Sequence, residues 1–97
     1  MPVHFIVSVS IPDPASRVPY DSYISRVRPI VERCGGEYLL RSENIRYVAG
    51  EWKPDRVIVI RFPDMSTLQN CFASPEYQEI EKLRLHSVKA SAVIVSD

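Results

Sequence analysis

Apolar residues recur along this chain with two different periods, and the changes of period mark out its elements. His4-Phe5-Ile6-Val7-Ser8-Val9-Ser10-Ile11 is rich in β-branched and aromatic residues and predicts a first strand. Pro12-Asp13-Pro14 ends it, because proline cannot donate to a sheet ladder. Tyr20, Tyr23, Ile24, Val27, Ile30, Val31 and Cys34 then recur at three- and four-residue steps, the apolar stripe of a helix. Pro19 falls near its first turn and Gly35-Gly36 supplies its stop, while Pro29 inside the pattern costs one backbone hydrogen bond or bends the helix. Residues 37–41 and 45–49 predict a long interrupted second strand, with a bulge or kink at Ser42-Glu43-Asn44. Residues 50–55 form a turn, and Arg56-Val57-Ile58-Val59-Ile60-Arg61-Phe62 is a third strand stopped by Pro63.

Asp64 is a good N-cap for a short helix through Phe72. Ser74-Pro75 opens a further helical segment, with serine as cap and proline at the first helical position. Within it Tyr77, Ile80 and Leu83 repeat every three residues, and Ala92-Val93-Ile94-Val95 forms the heart of a fourth strand. The order β-α-β-β-α-β predicts an α+β fold of ferredoxin-like topology, a four-stranded antiparallel sheet with its helices on one face.

An antiparallel sheet with one face in water alternates apolar and polar residues. The third strand does not alternate, since Val57, Ile58, Val59 and Ile60 point to both faces, and the fourth behaves likewise. Phe5, Val7, Val9 and Ile11 are assigned to the helices. The open face then carries Ile6, Val57, Val59 and Val93 beside His4, Ser8, Ser10, Arg41, Arg61 and Ser91. Burying ~500 Å² of apolar area per subunit there contributes roughly 12 kcal/mol before association costs. Pairing with a second copy of the chain is the simplest cover.

Composition sets the remaining bounds. Ninety-seven residues make one domain, residues 1–97, with no room for a second core. Apolar residues at 45% and charged residues at 25% are ordinary for a globular protein. Twelve basic and twelve acidic residues cancel, so no overall field draws the chain to nucleic acid or to a membrane surface. Its apolar runs fall far short of the roughly 20 residues that span a bilayer. Residues 1–15 lack a basic n-region and a small-residue cleavage site, so a cytoplasmic location is the default. Cys34 and Cys71 lack CxxC spacing and read as buried thiols.

Three stretches resemble a known family: Gly35-Gly36-x-Tyr38-x-x-Arg41, Gly50-x-Trp52-x-Pro54-x-Arg56-Val57-x-x-x-x-Phe62-Pro63, and Ser74-Pro75-Glu76-Tyr77-Gln78 with Arg84 following. On them the chain is similar, over nearly its whole length, to domain-of-unknown-function family 1330 within the dimeric α/β-barrel superfamily. The resemblance implies a ferredoxin-like subunit that pairs through its open sheet face into a barrel. It supplies no reaction and no catalytic residues. The connector from Pro12 to Pro19 is longer than the family's usual one, which leaves the start of the first helix open.

Several side chains are candidates for ligand contact. Arginine presents a planar fork of donors suited to carboxylates, so several of Arg41, Arg56, Arg61 and Arg84 converging on a barrel mouth would hold a small acid. Arg41 and Arg84 rank first, because each sits inside a motif of the resemblance; Arg56 and Arg61 otherwise end in solvent or pair with glutamates. His4 and His86 are candidate general acids or bases by residue type, but no spacing supplies a nucleophile and an orienting carboxylate beside either. Tyr20, Tyr23, Tyr38, Tyr77 and Trp52 each combine an apolar body with a polar handle, the lining of a pocket for a planar ligand. The favoured reading of Tyr23 and Tyr77 is as core-facing helix residues, and Trp52 is expected to pack with Pro54 over the turn before the third strand. The ligand-contacting set is thus His4, Ser8, Tyr38, Arg41, Trp52, Arg61 and Arg84.

Two scattered histidines and two scattered cysteines do not make a metal site, and no cofactor motif is present. Three functions fit: a homodimer that binds a small acidic or aromatic molecule, a cofactor-independent oxygenase or isomerase, and a pure interaction module. The sequence does not decide whether the chain is an enzyme.

Overall fold

A computed structural model describes residues 1–85 and 88–96, so His86 lies outside the described residues. The elements follow in the order β1 (Val3–Ser10), α1 (Arg17–Arg33), β2 (Glu37–Ser42), β3 (Arg56–Phe62), α2 (Met65–Phe72), α3 (Pro75–Leu85) and β4 (Lys89–Ser96). All strand pairs are antiparallel, and the sheet order is β2-β3-β1-β4. This is the ferredoxin-like α+β arrangement expected from the chain's pattern. Among the described residues, no helix is long and apolar enough to cross a membrane.

The helices lie on the face that carries the odd-numbered residues of β1. Val3, Val9, Ile58, Ile60 and Phe62 are buried there beneath Tyr20, Tyr23, Val27, Ile30 and Val31 of α1 and Tyr77 and Ile80 of α3. Asp13 accepts a hydrogen bond from the Ala15 N–H at 2.9 Å and starts a 3-10 turn, Pro14–Ser16, that runs directly into α1. The long connector therefore starts the helix three residues before the apolar stripe begins. Pro19 falls in the first turn, where its missing donor is not needed, and Pro29 sits on the exposed side. Asp64 caps α2 by accepting from the Thr67 N–H at 2.7 Å, as its position in the sequence predicts.

The end of α1 sets the distance between the layers. Gly35 takes φ +95°, which favours glycine, and the Gly36 N–H closes the turn onto the Val31 carbonyl at 2.9 Å. Gly36 is buried against Val31 and Phe62. A Cβ there would lie 2.5 Å from Val31 Cγ1 and 3.0 Å from Phe62 Cε1.

Two expectations fail in the segment after β2. Strand pairing stops at Ser42, and residues 45–49 are not strand. Ser42 Oγ accepts the Asn44 N–H at 2.9 Å, which turns the backbone out of the ladder. Glu43 is then held by both Arg17 nitrogen–oxygen contacts at 2.7 and 2.6 Å. The result is a long loop rather than a hairpin turn. The Tyr47 hydroxyl donates to the Pro54 carbonyl at 2.9 Å across this loop, and Pro54 is buried. Trp52 is 64% exposed instead of covering the turn with Pro54.

Besides the bend at residues 42–44, β2 has a register shift at Leu39, between the pairs Tyr38–Ile60 and Leu40–Val59. One extra residue shifts the phase of the strand. Arg41 consequently pairs with Ile58 and shares the helix-covered side with Tyr38, which corrects its assignment to the open face.

On that open face, Leu40, Val59, Ile6 and Val93 form one apolar row across all four strands. His4 pairs with Arg61 and Val95 on one side of the row, and Ser8 with Val57 and Ser91 on the other. Leu40 and Val93 remain 48% and 57% exposed.

Gly36→Ala tests the layer spacing. Forcing a methyl into this contact is expected to cost about 1–3 kcal/mol in a urea unfolding measurement. A change below about 0.5 kcal/mol would show that the layers yield easily there.

Candidate functional site

Where α1 and α3 lean over the sheet, their side chains do not fill the space completely. A cavity of about 110 Å³ remains, bounded below by Phe5, Val7, Val9, Ile58 and Ile60 and above by side chains of both helices. Its apolar character follows from strand residues that alternate toward the helices. Its polar atoms come from helix positions one or two turns apart. Tyr20 and Tyr23 are on α1, whereas Tyr77 and Arg84, seven residues apart, share one side of α3. Tyr38 reaches it from β2, directly after the Gly35-Gly36 turn.

The hydroxyls of Tyr23 and Tyr77 lie 3.0 Å apart and hydrogen-bond. Phe72 meets the Tyr77 ring edge-on at 4.8 Å and stacks obliquely on Phe5 at 4.8 Å, so the phenol is held by its neighbours. Burial pushes the Tyr23 phenol far above its ordinary range, with Tyr77 adding to the shift. It stays protonated at any physiological pH. Burial opposes the charge of Arg84, but the Tyr77 and Tyr23 oxygens and Glu81 at 3.7 Å outweigh it and hold the guanidinium firmly cationic.

Tyr38 forms the side wall. The guanidinium carbons of Arg28 and Arg41 lie 5.2 and 5.6 Å from its ring centroid, both in cation–π range. Burial pushes its phenol up to about 12, with Arg41 and then Arg28 pulling the other way. The arrangement offers neutral phenolic donors and fixed positive charge in an apolar chamber. Such a set stabilises a carboxylate, or an oxygen that gains negative charge.

The candidate residues divide between two surfaces. Tyr38 and Arg84 line the cavity, and Arg41 backs Tyr38. His4, Ser8 and Arg61 lie on the opposite side of the sheet, and Trp52 stands in the exposed loop. Tyr23 and Tyr77 are buried, as their helical spacing predicts, yet their hydroxyls also form the polar part of the chamber. The signal was present in the residue types. Tyrosine at successive core positions carries a hydroxyl that leucine would not, and burying one costs free energy unless it is bonded. Arg56 is not among the residues that line the cavity, and of its two alternatives the structure favours pairing with a glutamate over an end in solvent. Its side chain is only 12% exposed, it approaches Glu43 at 4.0 Å, and its guanidinium lies 5.7 Å from the Tyr20 ring. Cys71 is buried, and desolvation followed by Cys34 pushes its thiol up to about 12.

A family model described as a domain of unknown function, DUF1330, matches residues 2–97, and the chain belongs to that family. No curated protein matches it. Among solved structures, a protein of unknown function from Rhodopseudomonas palustris is 20% identical, with a TM-score of 0.82 over 97% of this chain and 80% of that one. A dimeric ferredoxin-like protein of unknown function from Jannaschia is 10% identical and aligns over the full length of both chains at a TM-score of 0.84. SnoaB, a cofactor-independent oxygenase from Streptomyces nogalater, is 11% identical, with a TM-score of 0.69 over 99% of this chain and 92% of that one. At such identities the likeness establishes the fold.

The raised phenol of Tyr38 has a measurable consequence. In an alkaline titration followed by phenolate absorbance, Tyr38 is expected to ionise at about 12 rather than near 10.0, and Tyr38→Phe to remove that step. The native value lies above the unfolded one. The stability it contributes is therefore complete below the unfolded value and is lost as pH rises through the native one. A Tyr38 step at the ordinary value would mean that water reaches the phenol.

Proposed function

We propose that this member of the DUF1330 family is a homodimeric binding protein for a small aromatic or acidic molecule, held in the chamber between the helices and the sheet. One observation carries this reading: the Tyr23–Tyr77 hydroxyl pair and the Arg84 guanidinium share a lining that is otherwise almost wholly apolar. None of the lining residues is acidic, while Arg28 and Arg41 add positive charge behind Tyr38. An anion entering this space meets donors from two helices and no carboxylate in the lining. A cavity of about 150 Å³ takes a benzene-sized ligand, so about 110 Å³ takes a molecule smaller than benzene, the size of a short-chain carboxylate.

Binding of propionate, as a carboxylate of that size, tests this directly by calorimetry. Arg84→Gln is expected to weaken it about ten- to hundredfold, the range for a lost charge-assisted hydrogen bond. Wild-type protein that takes up neither propionate nor any other small carboxylate would overturn the reading.

Homodimerisation rests on the apolar row Leu40–Val59–Ile6–Val93, which the chain's own helices leave uncovered. The Jannaschia protein of the same fold is dimeric. Val59→Asp places a charge at the centre of the row and is expected to give a folded monomer by light scattering and circular dichroism. A dimer-sized mass for that variant would move the interface elsewhere.

A second reading is cofactor-independent oxygenation, favoured by the shared fold with SnoaB and by donors able to steady a developing oxyanion. Oxygen consumption that depends on an added aromatic substrate and falls in Tyr77→Phe would select it over binding alone.

A further inference from the structure

A ligand has to reach the chamber from solvent, and the lining shows where. Among the described residues that border it, Ala92 alone is exposed; the others are buried or half-buried. Ala92 lies on β4, an edge strand of the sheet. It pairs with Val7, which pairs in turn with Ile58. The floor of the chamber thus runs from the middle of the sheet to its edge and ends at this alanine. Two residues on, Ile94 points to the same side of β4 and is 42% exposed. The helical layer stops short of the edge strand there.

Residue size accounts for the opening. Toward the helices, β1 and β3 present Val7, Val9, Ile58 and Ile60, whereas β4 presents Ala90 and Ala92 opposite Val9 and Val7. Alanine contributes one methyl group where a larger residue would fill the space above the strand. Arg84 belongs to the same end of the helical layer. It lies in the last turn of α3, and the Val88 N–H bonds its carbonyl at 3.2 Å, so the chain passes into β4 within a few residues. Its side chain lines the chamber and is still 22% exposed. A cation in contact with both water and the interior draws an anion inward. The apolar row Leu40–Val59–Ile6–Val93 points to the other side of the sheet, away from this opening.

We infer that the chamber is entered over the edge strand β4 with Ala92 as its sill, and that the small side chain there admits short aliphatic carboxylates. This rests on the reading that Arg84 and the Tyr23–Tyr77 pair hold a carboxylate, to which it adds the route of entry and the class of chain. An aliphatic chain meets Val7, Val9 and Ala90 on the floor, and each methylene buried there is worth about fourfold in affinity. Ala92→Leu would place an isopropyl group at the entrance, a bulk comparable with that of propionate itself. Because position 92 borders the chamber, that group both blocks the route and takes up room within it.

Calorimetry with acetate and propionate, on wild type, Ala92→Leu and Ala92→Ser, tests the assignment. Wild type is expected to bind propionate about fourfold more tightly than acetate. Ala92→Leu is expected to weaken propionate at least about tenfold, whereas Ala92→Ser, which keeps the size, stays within about threefold of wild type. Position 92 is exposed on an edge strand, so both variants are expected to melt within about 4 °C of wild type. If wild type binds propionate and Ala92→Leu binds it equally well, the entrance lies elsewhere; this inference falls and the binding reading stands. Acetate bound as tightly as propionate by wild type overturns the aliphatic class in the same way. Failure of wild type to bind any small carboxylate overturns the two together. A large drop in melting temperature for Ala92→Leu would show a packed position rather than an open one, and overturns the assignment as well.

Discussion

Helices that lie along one side of a four-stranded sheet can shelter only that side, and the distance at which they do so decides what space is left beneath them. In this chain the distance is set where α1 ends. Gly36 brings backbone against Val31 and Phe62 with no room for a methyl group. The two layers are in close contact at this point, yet Val31 also lines the chamber beside it. Tight contact at Gly36 and a gap beneath the helices are two outcomes of the same packing problem. The uncovered side of the sheet is the third outcome.

Much of this was legible in the order of residues. The strands, the caps at Asp64 and Ser74 and the glycine stop all follow from local rules that tertiary contacts did not override. The failures share a physical origin. Residues 45–49 have strand-like composition, but a strand needs a neighbour. Asn44 turns back onto Ser42, and Glu43 is drawn to Arg17 twenty-six positions earlier. Neither contact is visible to a rule that looks only along the chain. The same holds for Arg41, whose side of the sheet depends on an extra residue at Leu39 that is apparent only from the register with β3.

The candidate site was half legible. Tyr38 and Arg84 line the chamber, whereas His4, Ser8 and Arg61 face the other way. A helical stripe of tyrosines was correctly read as core, but that left out the question of where the hydroxyls go. For Tyr23 the answer is Tyr77, on a different helix 54 residues away. Periodicity locates such a residue on the inner side of its helix; the partner of its polar atom is a property of the assembled fold.

The bulge at Leu39 has a consequence for how variants of this architecture could diverge. A strand that slips phase once along its length presents its first half and its second half in opposite senses, so β2 lends Tyr38 and Arg41 to the interior and Leu40 to the outer surface within four consecutive residues. Deleting Leu39 would restore strict alternation and leave Leu40 outside and Arg41 inside. Ironing out the bulge with Leu39 retained would instead carry Leu40 inward and Arg41 outward, so a single supernumerary position holds the cation on the chamber's side.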